Sequence, residues 1–318
     1  MQADISIILL TTHGPDSFFD CLETLLNQTY PLEKIELIVV DDSDDKYLAK
    51  SLADSECNNF LAFKYIPLLH KGPAFARNTG IKNASSEITA FIDDDCIADS
   101  DWVKLIMETH RNNPDKPVVG GLTYVNANSN SSLVSQFLRN NNIKSGFDKR
   151  EIIFFPANNV SMKRYIFSRH LFNENFLMPE GDDLEFFWRI FKQGNRFVWN
   201  ENIKVIHNRH DGLSGFLKQA YSCGRGCLLA DYLHKGDHPL LKDLSTGKIS
   251  FWLASLLSFL SIPSFSYLTG SKLIKKEKIK TFSRKASIYL LFILYKIAYL
   301  WGNIYEFPNL TKMHLKEK

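Results

Sequence analysis

The sequence predicts an α/β fold with a mostly parallel central sheet flanked by helices, and three observations carry that expectation. Short apolar, β-prone runs recur at residues 5–10, 35–40 and 88–92. Segments with helical spacing of apolar residues fall between them, the alternation that a parallel sheet requires. Two of the runs end in acids, Asp41-Asp42 and Asp93-Asp94-Asp95. Ligands of open α/β sheets bind beyond the carboxyl ends of the strands, so both acid sets are expected at one crevice.

The elements follow in order. Ile5-Ser6-Ile7-Ile8-Leu9-Leu10 reads as a buried strand, closed by Thr11, Thr12, His13, Gly14 and Pro15. Phe18, Cys21, Leu22, Leu25 and Leu26 share a helix face that stops before Tyr30-Pro31. Residues 35–40 form a second strand, 49–53 part of a short helix and 60–66 a third strand. Residues 74–84 predict a helix, 88–92 a strand, 102–109 a helix, and Val118-Val119 opens another strand. The polar stretch 126–132 reads as a loop or a boundary between half-domains. Ordered patterning resumes at Phe154-Phe155-Pro156-Ala157-Asn158-Asn159 and over residues 182–193, where Phe186, Phe187 and Ile190 share a helix face.

At 318 residues the chain has room for one large or two ordinary domains. Charged residues at 23% and hydrophobic ones at 45% are ordinary for a globular protein, and a net charge of +3 gives no argument for nucleic acid. The five cysteines (21, 57, 96, 223 and 227) are odd in number and scattered. No basic segment precedes the first apolar run, so a reducing, cytoplasmic setting with free thiols is expected. Cys223 and Cys227 lack a matching second pair, which argues against zinc.

Three consecutive carboxylates are costly to bury, so the 93–95 triplet is expected to face solvent, a cation or both. Asp93 and Asp95 point the same way on extended backbone, which suits them to one divalent ion with hard oxygen ligands. The competing reading is a solvated acidic loop. Asp182 and Asp183 fall at a helix N-terminus, where the dipole favours carboxylates and capping alone explains one acid. A second acid, with Gly181 before it, leaves room for a catalytic role. Asn158 and Asn159 fit either a hydroxyl-positioning pair, amides being both donors and acceptors, or a turn. No G-x-G-x-x-G follows the first strand, and no G-x-x-x-x-G-K-[ST] occurs, so the usual dinucleotide and P-loop readings are weak.

Towards the C-terminus, residues 249–268 and 286–307 are two apolar stretches, each about the roughly 20 residues that span a bilayer. Lys296 makes the second a poor span. Residues 271–285 between them hold seven basic residues against the single acid Glu277, which fits a patch on an anionic leaflet. The two stretches predict a helical hairpin, membrane-associated or packed as a buried pair.

Taken in order, these motifs resemble the inverting family 2 glycosyltransferases of the GT-A fold. The resemblance rests on the opening strand with Thr11, on Asn27-Gln28-Thr29-Tyr30-Pro31 before Val39-Val40-Asp41-Asp42-Ser43, and on Gly72-Pro73-Ala74-Phe75-Ala76-Arg77-Asn78. It continues through Asp93-Asp94-Asp95, Ala157-Asn158-Asn159 and Asp182-Asp183-Leu184-Glu185 with Arg189 and Gly194. It covers about residues 5–231. It implies a donor site at Thr11, Asp41, Asp42, Arg77, Asp93, Asp94 and Asp95, with Asp41 or Asp42 accepting the ring N–H of a base, typically uracil. It implies Mg²⁺ or Mn²⁺ at Asp93 and Asp95, with His207 a metal- or phosphate-contacting histidine in competition with His210. Asp183 matches the general base; Asp182 stands where the family usually has Glu, and Phe186 where it often has Leu. Asp182, Asn158 and Asn159 are placed with the acceptor.

The predicted organisation is a catalytic domain over residues 1–235, with a nucleotide-binding half (about 1–125) and an acceptor half (126–235), followed by the hairpin over 240–318. The predicted activity is transfer of a sugar from a nucleotide-diphospho-sugar, most simply a UDP-sugar, to an acceptor hydroxyl in cell-surface polysaccharide or glycolipid synthesis. The partners would be a nucleotide-sugar, a glycan or lipid-linked acceptor and the cytoplasmic face of a membrane. A sugar nucleotidyltransferase is the rival enzyme, but Thr11 to Asp16 lacks the basic loop it would need. A non-catalytic nucleotide-sugar-binding scaffold would have no use for a base at Asp183.

Overall fold

The computed structural model describes residues 2–12, 15–43, 48, 52, 56–125, 129–145, 147–148, 151–177, 180–208, 212–234 and 255–316. The helix predicted over 49–53 and the competing His210 lie outside the described residues. The chain divides into two compact units. The first holds Met1–Tyr124, Phe147–Pro179 and Phe186–Asn208; the second holds Val125–Gly146, Glu180–Glu185 and Arg209–Lys318.

The first unit is built on an eight-stranded sheet in the order β3-β2-β1-β4-β9-β6-β10-β5. Its strands are β1 (Ile5–Thr11), β2 (Ile35–Asp41), β3 (Ala62–Pro67), β4 (Ile88–Asp93), β5 (Cys96–Ala98), β6 (Val118–Val125), β9 (Val160–Lys163) and β10 (Phe197–His207); β7 (Phe147–Asp148) and β8 (Glu151–Ile152) form a separate pair. β1 pairs in parallel with β2 and β4, and β2 with β3, as the alternation predicts. β9 then runs antiparallel to both β4 and β6, and β5 antiparallel to β10. The sheet is therefore mixed, with its parallel half confined to β3-β2-β1-β4. β1 and β2 are buried at every position because both their faces are covered, which explains why they read as unbroken apolar runs. Helices α1 (Pro15–Leu26), α2 (Pro73–Asn83) and α3 (Trp102–Asn112) connect the strands. The main core gathers Ile5, Ile7, Leu9, Leu37 and Val39 with Phe18 and Leu22 of α1 and Trp102 of α3.

The second unit is helical. Its elements are α4 (Asn130–Ser145), the first turn of α5 (Asp182–Lys192), α6 (Leu213–Leu233), α7 (Ile262–Lys276) and α8 (Phe282–Lys316). The polar stretch read as a loop or a boundary between half-domains is helical from Asn130. Leu133, Val134, Phe137, Phe216, Leu273, Ile288 and Phe292 form its core. α6 and α8 meet backbone to backbone: a methyl on Gly224 would lie 2.0 Å from the Tyr299 carbonyl oxygen, and one on Gly302 2.1 Å from that of Tyr221. The segment around Gly224 is a packing seam. Of the two predicted apolar stretches, residues 249–254 lie outside the described residues, and the described remainder is interrupted at Ser261, before α7 starts. Among the described residues one helix, Phe282–Leu310 within α8, is long and apolar enough to cross a membrane.

Candidate active site

Asp93 ends β4, and the next two residues turn the chain into β5, whose Cys96 lies opposite His207 at the end of β10. That antiparallel register brings the His207 ring to the triplet: His207 Nε2 lies 3.0 Å from Asp95 Oδ2. Arg77 of α2 reaches the same strand end, its Nη2 3.7 Å from Asp93 Oδ1. Its guanidinium lies 5.5 Å from the centre of the Phe172 ring, a contact that fixes the fork over an aromatic face.

The three acids of the triplet have different surroundings. Asp93 is partly exposed; burial pushes its carboxyl above the usual range, Arg77 pulls it down, and Asp95 pushes it up again. Asp95 is buried against His207. Asp94 is 1% exposed, and its Oδ2 accepts from the Thr11 hydroxyl at 2.6 Å and from the Thr12 N–H at 2.9 Å. The expectation that all three face solvent or a cation is corrected here: the neighbouring strand end supplies donors that make burial of Asp94 tolerable. Thr11, fully buried, is the partner that does so.

The acids at the end of β2 are likewise hydrogen-bonded. Asp41 Oδ1 accepts from the Ser43 N–H and hydroxyl, and Oδ2 from the Tyr65 hydroxyl at 2.6 Å. Asp42 accepts from the backbone N–H groups of Lys71 and Gly72, both at 2.7 Å, and so holds the turn before α2, where Gly72 has φ +89°. Asn158 accepts from the Thr123 hydroxyl. Asn159 has no exposure; it accepts from Trp102 Nε1 and donates to the carbonyls of Leu122 and Ile203. It is a cross-brace between α3, β6 and β10.

Asp95, Cys96 and His207 offer ligand atoms within 4.8 Å of one another. Burial first, then Asp95 and Asp93, hold the Cys96 thiol far above its ordinary value, so it offers no thiolate. What remains is carboxylate oxygen and imidazole nitrogen, a donor set that suits Mg²⁺ or Mn²⁺. His207 is itself buried, and its Nδ1 has no hydrogen-bond partner.

In the second unit, Asp183 is half-buried in the first turn of α5, its Oδ1 accepting from the Leu184 N–H at 2.8 Å. Asp182 beside it is buried. The segment is held from α6: a methyl on Gly226 would lie 1.9 Å from the Glu180 carbonyl oxygen, and Gly181 takes φ +94°. One turn further along, His234 Nε2 lies 3.3 Å from the Glu185 carbonyl oxygen and 3.7 Å from its carboxylate. Beyond Glu185, α5 returns to the first unit, where Phe186 stacks on Phe172 with centroids 4.2 Å apart and Arg189 lies over Phe186. That stack is the physical reason for Phe at this position. Cys223 and Cys227, one turn apart on α6, are half-buried thiols; burial drives Cys227 up to about 12. Asp231, fully buried on α6, has no partner for either carboxylate oxygen, and burial raises it to about 7. Sequence reasoning passed over Asp231, although an acid after Leu228-Leu229-Ala230 was the available signal.

The mixed sheet with acids at its parallel strand ends is the GT-A architecture, shared with the mannosyltransferase PcManGT of Pyrobaculum calidifontis, a structure determined with GDP-Man and Mn²⁺. The two agree with a TM-score of 0.65 over 96% of this chain and 88% of that one, at 15% identity. Residues 6–171 match the family model for glycosyl transferase family 2, and the chain belongs to that family. It is therefore a glycosyltransferase. It is similar to the dolichyl N-acetyl-α-D-glucosaminyl phosphate 3-β-D-2,3-diacetamido-2,3-dideoxy-β-D-glucuronosyltransferase of Methanococcus voltae, 26% identical over 69% of this chain and 71% of that protein. It is also similar to the glucosyl-dolichyl phosphate glucuronosyltransferase of Haloferax volcanii, 27% identical over 38% of each chain.

Proposed function

We propose that this chain transfers a sugar, with inversion, from a nucleotide-diphospho-sugar to the hydroxyl of a lipid-linked or glycan acceptor, in the assembly of a surface polysaccharide or glycolipid. The observation that carries the reading is the pair of Asp95 and His207, 3.0 Å apart at the sheet's carboxyl edge, with Asp93 and Arg77 paired at the neighbouring strand end. Asp93, Asp95 and His207 would hold Mg²⁺ or Mn²⁺. Such an ion, when bound, offsets charge on a departing diphosphate as a Lewis acid. Arg77 offers a planar fork suited to phosphate oxygens. Asp41 or Asp42 reads the base, uracil being the working assignment. Thr11 and Asp94 shape the donor site through their mutual hydrogen bond.

Asp183 removes the acceptor hydroxyl's proton as that oxygen attacks the anomeric carbon from the face opposite the leaving group. A single carboxylate suffices for such a displacement, unlike glycoside hydrolysis with its two flanking carboxylates. Asp182 supports the acceptor side and Asn158 orients hydroxyls. Asn159, with all its polar atoms engaged inside the protein, is assigned to the framework in place of its expected acceptor contact. The dolichyl phosphate in the names of the Methanococcus voltae and Haloferax volcanii relatives supports a lipid-linked acceptor and, with the apolar α8, attachment to a membrane, whose cytoplasmic face is the side we assign.

The test is nucleotide release from a panel of UDP- and GDP-sugars, with Mn²⁺ present and with it chelated. The expected result is turnover of a UDP-sugar that chelation abolishes. Asp183→Asn should bind donor with unchanged affinity and lose transfer. Turnover retained by that variant rejects the base assignment, and turnover of a GDP-sugar alone rejects uridine.

A further inference from the structure

We propose that the second unit docks on the surface of a bilayer carrying anionic lipids, with α7 and α8 lying in the interface plane and neither crossing it. The proposal rests on the membrane-attached reading above and adds the mode of contact, which that reading leaves open.

The two sides of α8 carry the argument. Ile288, Phe292, Asn303 and Phe307 are buried, whereas Leu290, Ile297, Trp301 and Tyr305 are exposed. At 3.6 residues per turn these two stripes point about 180° apart. The buried side is occupied by the protein itself. The Tyr299 carbonyl abuts Gly224 of α6, and Glu306 pairs with Arg225 of α6 at 2.7 Å. A crossing α8 would either part from α6 along that seam or carry the Arg225–Glu306 pair and buried Asn303 into hydrocarbon, which is costly. In-plane docking keeps every one of these contacts and covers only the exposed stripe.

α7 adds exposed side chains of its own, Tyr267 and Leu268 at 65% and 60%, and Tyr267 stacks on Tyr289 of α8, the neighbour of Leu290. Lys272, Lys275, Lys276, Lys278, Lys280 and Arg284, all exposed, line the end of α7 and the start of α8, against one acid, Glu277. Exposed Tyr267, Leu268 and Leu290 flanking a dense basic run, with Trp301 and Tyr305 further along α8, is the chemistry of a helix seated at an anionic headgroup boundary. The charge selects this occupant over a second copy of the chain, whose identical basic run would oppose it across a two-fold interface.

The test is co-sedimentation of the full chain with vesicles of phosphatidylcholine, alone and mixed with phosphatidylglycerol, followed by an alkaline carbonate wash. The expected result is binding to the anionic vesicles at least tenfold tighter than to the neutral ones, released by carbonate. Lys275→Gln and Lys276→Gln should each weaken it about fivefold. The triple variant Leu290→Gln, Ile297→Gln, Trp301→Gln should weaken it at least tenfold with an unchanged circular dichroism spectrum. No binding to either vesicle removes membrane attachment altogether. Binding that resists carbonate overturns only the in-plane mode. Full binding by the triple or the lysine variants overturns the assigned surface, as does a vesicle-free dimer that the triple variant dissociates.

Discussion

Gly226 offers a test of whether the backbone that carries Asp183 is held in place by helix packing. In Gly226→Ala the new Cβ would lie 1.9 Å from the Glu180 carbonyl oxygen and 3.2 Å from the Gly181 Cα. Ordinary contact begins near 3.4 Å, so one backbone has to retreat by about 1.5 Å, and backbone gives way less readily than a flexible side chain. Glu180 and Gly181 adjoin Asp182 and Asp183, so the retreat moves the proposed base. A misplacement of about 1 Å can cost 10²-fold in rate, and we expect kcat to fall about 100-fold, with about 1–3 kcal/mol lost from stability. Donor affinity should hold within twofold, because Arg77, Asp93, Asp95 and His207 belong to the other unit. Gly302→Ala is the control. Its Cβ would lie 2.1 Å from the Tyr221 carbonyl oxygen, a comparable clash that does not touch residues 180–183. It should lower stability to a similar extent and leave kcat within threefold. The measurements are steady-state turnover well below each variant's Tm, donor titration and thermal unfolding. Wild-type kcat in Gly226→Ala, or equal kcat losses in both variants, would refute the reasoning.

Three further outcomes are expected. Asp95→Asn should weaken Mn²⁺-dependent donor binding at least tenfold while leaving metal-free nucleotide binding unchanged, read by calorimetry with and without the ion. Asn159→Ala leaves Trp102 Nε1 and the carbonyls of Leu122 and Ile203 short of a partner and should cost about 3 kcal/mol in chemical denaturation. Asp231 rises from an ordinary 3.8 to about 7 on burial, so the folded state holds a proton that the unfolded chain releases. Its contribution is therefore complete below about pH 4 and is lost as pH rises through about 7, a span worth about 4 kcal/mol at 1.36 kcal/mol per unit. Asp231→Asn should flatten that slope and raise Tm at pH 8; a slope unchanged in the variant would assign it to other groups.

The parallel half of the sheet was readable because its strands are buried on both faces and stand out as apolar runs; β1, β2 and β4 fall within a residue of where the pattern puts them. Of the antiparallel half, the opening of β6 at Val118-Val119 was readable, whereas β5 and β9 were not. β5 has three residues and β9 four, too few for a period-two signal. That gap hid the pairing of β5 with β10, and with it the reason His207 meets Asp95. Local sequence also could not separate Asp94 from its neighbours, since its donors arrive from β1, more than eighty residues earlier. Asn159 is a similar case: its three partners come from three different elements, and its place in a glycosyltransferase-like motif says nothing of them.

The glycines show how a motif and its physical cause can separate. Gly224 and Gly226 flank Arg225, a short glycine-containing basic segment that by itself names no ligand. Each glycine instead admits a backbone: Gly224 that of Tyr299, Gly226 that of Glu180. The two acid sets are therefore held by unlike means. Asp95 is set by strand register, since shifting β5 against β10 by one residue would turn His207 to the other face. Asp183 is set by a helix that approaches so closely that only glycine fits. Register tolerates surface substitution freely, whereas a seam of bare backbone tolerates no added methyl, so the segment carrying Asp183 is the more easily displaced of the two.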